Sequence, residues 1–151
     1  VLSMHCGSNW GFDLEPGLRA FCHKLVDDNA VDLIACHSSH HIKGMEVYKN
    51  KLIMYGLGDF INDYEGINGY GSETTFRGDI NMQALPLLNA DGSLAVLHLV
   101  PGLIRHLRVN PAPEGDVEYV RSTLVRECAR FGDTVSVNRT ADTAVLEVRA
   151  R

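Results

Sequence analysis

Two short apolar runs, Val1 to His5 and Val31 to Ala35, flank a single amphipathic helix pattern, and that order leaves few folds open. Between them Leu18, Phe21, Cys22, Leu25 and Val26 recur at spacings of 3, 1, 3 and 1. This is one face of a helix, expected to begin at Pro16 and to end near Asn29. Cys6 to Glu15, with Gly7, Asn9 and Gly11, reads as a loop. Strand, loop, helix, strand predicts a parallel pair joined by a right-handed crossover. Both strand ends then open on the same edge of the sheet, where open α/β sheets carry their sites.

After residue 44 the pattern changes. Met45 to Tyr48 and Leu52 to Leu57 flank Lys49-Asn50-Lys51, which reads as a tight hairpin. A long irregular loop is expected from about Gly58 to Thr75, and a loop of that length in a compact domain is usually functional or disordered. Strands are expected near Gly78–Leu88, Ser93–Leu99, Leu103–Val109 and Thr143–Arg149, with a turn at Asn89-Ala90-Asp91-Gly92. Asp116 is a candidate helix cap, followed by the apolar face Val117, Val120, Leu124 and Cys128. The fold class is therefore α/β, a short parallel β-α-β start followed by mainly antiparallel strands.

Charge narrows the function classes. Fourteen basic against 19 acidic residues give a net charge of −5 with no Lys/Arg block, which argues against a nucleic-acid or anionic-membrane surface. No apolar run approaches the ~18–20 residues of a membrane span. The chain opens without Met inside an apolar run, so residues 1–151 are expected to be the later part of a longer domain.

The candidate chemistry lies at the strand ends. His5 ends the first run, and His37 and His40 follow the second, so a parallel pair would bring three imidazoles together from loops about 30 residues apart. Imidazole is a common ligand of zinc, manganese and iron-type ions. The alternative is a set of polar loop histidines hydrogen-bonded to Ser38, Ser39 and nearby carbonyls. His23, His98 and His106 read as surface or structural histidines. Cys6 and Cys36 each adjoin a histidine, but consecutive strand residues point to opposite faces, so His5 and Cys6 are not expected to share an ion. Cys22 and Cys128 fall on helix faces and are expected in the core. Ser38 and Ser39 lack the Gly-x-Ser-x-Gly context of an activated nucleophile. Asp59, after Gly56 and Gly58, is either a carboxylate supporting the site, as base or histidine partner, or a turn residue capping backbone N–H groups. Gly66, Gly69 and Gly71 do not follow a strand and open a helix, so no nucleotide loop is read there.

Four stretches, in this order, carry a resemblance: Ser3-Met4-His5-Cys6-Gly7 with Asn9-Trp10; Val31-Asp32-Leu33-Ile34 leading to His37-x-x-His40; Lys43-Gly44-Met45-Glu46-Val47-Tyr48; and Leu52-Ile53-Met54-Tyr55-Gly56-Leu57-Gly58-Asp59-Phe60. They resemble the CapA family of capsule or poly-γ-glutamate biosynthesis proteins, within the calcineurin-like metallophosphoesterase superfamily. The resemblance covers Val1 to Phe60 firmly and the remainder loosely. It implies the later portion of an α/β/β/α sandwich, with His5, His37 and His40 as ligands of a centre of two divalent ions of Mn, Zn, Fe or Mg type. Such a centre would polarise a phosphoryl oxygen and supply the nucleophile. Asp59 would act as base or as partner of a ligand, and Asn9, Trp10, Ser38, Ser39 and His41 would contact substrate.

The chain departs from the family pattern. Cys36 replaces the glycine before the first histidine of the second segment, Ser38-Ser39 stands for His-Pro, and Asp59 stands where Asn is common. The family's Gly-Asp and Asn-His segments, which supply the acidic ligands, have no match, so the centre is expected to be completed upstream. The implied substrate is an anionic polymer or phosphoester, and the implied partners are the missing N-terminal half or other capsule-synthesis subunits at the cell surface or membrane. Two readings stay open: a metal-dependent phosphoesterase-type hydrolase, or a non-catalytic accessory that retains the fold.

Overall fold

The computed structural model describes residues 1–65, 67, 75–141 and 144–151. Its first half is the expected crossover. Strand β1 (Leu2–Met4) leads through helix α1 (Leu18–Asp27) to β2 (Leu33–Cys36), which lies parallel to β1 with Met4 opposite Cys36. Helix α1 starts two residues later than Pro16 because Gly17 takes a left-handed conformation, φ 83°, that a helix interior cannot hold. A hairpin follows, β3 (Met45–Tyr48) and β4 (Lys51–Met54). Its corner residues Lys49 and Asn50 have φ of 47° and 67°, the paired positive values of a turn whose twist matches the strands. The sheet order is β1-β2-β4-β3, with β4 parallel to β2.

Strict alternation makes this sheet apolar on both faces. In β2, β4 and the residue that follows β4, Ile34, Cys36, Ile53 and Tyr55 pack with Cys22 and Val26 of α1. Their neighbours Leu33, Leu52 and Met54 enter the larger core on the other side. Each such side chain contributes about 1.5–3 kcal/mol over an exposed one.

That larger core is closed by a second sheet, β5 (Ile80–Leu88), β6 (Leu94–Ile104), β7 (Val109–Pro111), β8 (Val135–Arg139) and β9 (Leu146–Ala150), and by helix α2 (Glu114–Ala129). All its pairings are antiparallel, in the order β5-β6-β9-β8 with β7 also on β6. The α/β class and the parallel-then-antiparallel division are as the sequence implied.

Further details differ from expectation. β6 runs unbroken through Pro101-Gly102, because β9 pairs with residues 97–99 and β7 with residues 102–104, so neither ladder needs a donor from Pro101. β8 has only Val135 and Val137 as apolar signal, too short a run to announce a strand. α2 begins at Glu114 after Pro113, and Asp116, in the first turn, pairs with Arg77 at 3.0 Å instead of capping. Gly66, Gly69, Gly71 and Thr143, named in the sequence reading, lie outside the described residues.

Gly44 marks a close contact between the two halves. A methyl there would stand 2.7 Å from the Phe131 ring and 2.9 Å from the Glu127 carbonyl oxygen at the end of α2. Gly44→Ala is expected to cost about 1–3 kcal/mol, read as a lower urea midpoint, since backbone must move to admit it. An unchanged midpoint would show that the end of α2 yields freely.

Candidate metal centre

The parallel register carries straight into the loops. His37 N–H donates to the Met4 carbonyl at 3.0 Å, continuing the ladder past β1 and β2. His5 and His37 thereby come side by side, ring centroids 5.5 Å apart and edge to face, and both are exposed. The residues beside them turn the other way: Cys6 and Cys36 point toward α1, their sulfurs 3.2 Å apart. The two His–Cys pairs are thus sorted by strand alternation, imidazoles to the open face and thiols to the helix face.

His40 takes a different partner. Its Nδ1 lies 3.0 Å and 3.1 Å from the two carboxylate oxygens of Asp59, which also accepts from Asn62 Nδ2 at 2.8 Å. A carboxylate only accepts, so Nδ1 carries the proton, and in the neutral ring Nε2 then carries the lone pair. This carboxylate–histidine arrangement is the one that orients metal-ligating histidines. Of the two readings of Asp59, the histidine partner is the one its contacts favour. His37 and Asp59, with Ser3, Phe60 and Gln83, line a cleft of about 540 Å³. Among the described residues, no three His, Cys, Asp or Glu side chains stand close enough together to hold a metal ion.

The surrounding loop residues are mostly committed inward. Ser38 donates to the Gly7 carbonyl and Ser39 to the His41 carbonyl, each at 2.8 Å, and both are buried. His41 is fully buried, its Nδ1 donating to the Ile42 carbonyl at 2.9 Å. Burial holds its imidazole down to about 4, so it stays neutral. Trp10 lies parallel to the His41 ring at 5.9 Å and 5.4 Å from the His40 ring, with Phe12 and Phe76 closing the aromatic cluster. Asn9 is exposed, and its carbonyl accepts from the His40 N–H at 3.0 Å.

Two charges beneath this loop are buried, and sequence reasoning assigned neither of them its partners. Lys43 is 2% exposed, donating to Ser8 Oγ at 3.0 Å and to the Asp13 carbonyl at 3.3 Å, and burial lowers its pKa. Glu46 is 1% exposed and receives Arg19, His23 and Tyr55. The signal was present: both sit inside the otherwise apolar stretch from Ile42 to Tyr48, where a charge needs a partner.

Comparison with known proteins agrees with this geometry in where it falls. Residues 1–64, which hold every candidate ligand, match the family model described as bacterial capsule synthesis protein PGA_cap. A Mycobacterium tuberculosis protein named "Probable polyglutamine synthesis accessory protein" is 41% identical over 133 residues, 87% of this chain and 34% of its own length. The Bacillus anthracis capsule biosynthesis protein CapA is 33% identical over 63 residues, 42% of this chain and 15% of its own. The chain spans about a third of the mycobacterial relative. Through these residues it belongs to the CapA-like family of bacterial capsule and poly-glutamate synthesis proteins.

Proposed function

We propose that the whole protein serves synthesis of an anionic surface polymer through a metallophosphoesterase-type centre, with His5, His37 and His40 as the ligands from this chain. The observation that carries the reading is the exposed His5–His37 pair, 5.5 Å apart at the ends of two parallel strands. Neutral imidazoles suit zinc, manganese or iron-type ions, so the donor set fits such a metal, though only in part. Hard carboxylate donors would come from segments outside residues 1–151. When bound, the metals supply Lewis acidity toward a phosphoryl oxygen. Asp59 keeps the proton on His40 Nδ1, and the Trp10, Phe12 and Phe76 cluster excludes water behind that ring. The substrate is an anionic polymer or phosphoester, and the partners are other components of polymer synthesis.

A second reading has its own support. The mycobacterial relative is named an accessory protein, and no three-donor group stands among the described residues. In that reading the fold is a scaffold. Whole protein supplied with Mn²⁺ and given bis(p-nitrophenyl) phosphate is expected to release p-nitrophenol in a chelator-sensitive way. Metal-replete protein inert toward this ester and toward polymer substrates would favour the scaffold.

A further inference from the structure

The thiols on the hidden side of the strand ends form a chemical unit that the metal reading does not use. Cys6 lies two residues past Met4, the register partner of Cys36, and therefore on the same face of the extended ladder. Their sulfurs are 3.2 Å apart, and Cys22 of α1 packs in the same cluster. A disulfide needs about 2.05 Å between sulfurs, so closure asks for a shift of about 1 Å rather than a rearrangement of strands. Access is one-sided: Cys6 is partly exposed, whereas Cys36 and Cys22 are buried.

We propose that Cys6 and Cys36 are a dithiol site that closes reversibly to a disulfide. A small disulfide such as oxidised glutathione is the reagent class. The Cys6 thiolate attacks it, forming a mixed disulfide and releasing one glutathione thiolate. Cys36 Sγ then attacks Cys6 Sγ, the second glutathione leaves as thiolate, and it takes up the Cys36 proton. Two protein thiols and one oxidised glutathione become one protein disulfide and two reduced glutathiones. The crosslink pins β1, a three-residue strand whose single sheet partner among the described residues is β2, and so fixes the spacing of the adjoining His5 and His37. The inference rests on the thiols alone and stands whether or not a metal binds.

The test is thiol counting in denatured protein after oxidised glutathione treatment of the folded chain. Four thiols are expected to fall to two, with a mass loss of about 2 Da and a Cys6–Cys36 peptide, and dithiothreitol restores four. Cys6→Ser, at the partly exposed position, is expected to fold and to keep its three thiols under the same treatment. Four thiols remaining in the parent, glutathione persisting on Cys6, or loss of two thiols in Cys6→Ser through Cys22–Cys36 pairing would each overturn the proposal.

Discussion

Glu46→Ala is expected to lower stability by about 3–5 kcal/mol, the cost of breaking a buried ionic network by removing one partner. Glu46 Oε1 accepts from Tyr55 Oη at 2.5 Å, from Arg19 Nε at 3.0 Å and from His23 Nε2 at 2.9 Å, and Oε2 accepts from Arg19 Nη2 at 2.7 Å. Arg19 also donates to the Phe131 carbonyl, so this carboxylate ties β3, the residue after β4, α1 and the residues after α2 together. Arg19 is 43% exposed and can rehydrate, but the Tyr55 hydroxyl, in a side chain 2% exposed, cannot. Most of the cost therefore falls on groups left unpartnered. Glu46→Gln, which still accepts from Tyr55, should lose less. For a domain of this size the alanine variant should melt about 10 °C lower.

Acid tests the same network. Burial pushes the Glu46 carboxyl up, but hydrogen bonds from Arg19, Tyr55 and His23 outweigh it and hold the pKa below the ordinary value. A carboxyl depressed on folding contributes fully above its unfolded pKa of about 4.3, and loses that contribution as pH falls through the folded value. Glu46→Gln should flatten this part of the acid limb of a urea-midpoint profile. An acid limb identical to the parent's would show that Glu46 is not held as argued.

Asp59→Ala is expected to weaken metal binding of the whole protein by about 10- to 100-fold while leaving the fold intact. The carboxylate is the acceptor that keeps the proton on His40 Nδ1. Without it the ring can turn, and the protonated nitrogen can exchange. Asp59→Asn offers a neutral oxygen at the same place and should recover most of the affinity. A direct catalytic base would behave differently: alanine and asparagine would then both abolish turnover with affinity unchanged.

How much of this was legible depended on how local each interaction is. The crossover and the hairpin were readable because their signals lie within a few residues: the α1 face, the doubly apolar β2 and β4, and the Lys49-Asn50 corner. The His5–His37 approach was readable too, since parallel topology alone brings those strand ends together. The His40–Asp59 pairing was readable only as one of two options for Asp59, because a turn aspartate and a histidine partner look the same until the loop between them is placed. The Glu46 network joins residues up to 112 apart, through the Arg19 bond to Phe131, and no periodicity encodes that. β8 needed its neighbour β9 to become a strand at all. The inward commitment of Ser38 and Ser39 followed from loop geometry that composition does not carry.

The most direct measurement is metal content. Purified whole protein and its His37→Ala variant, each dialysed against Mn²⁺ or Zn²⁺ and then against metal-free buffer, can be read by elemental mass spectrometry. The account predicts about two ions per chain in the parent and a clear loss in the variant, at equal folded fraction. Equal metal in both, or none in the parent, would contradict it.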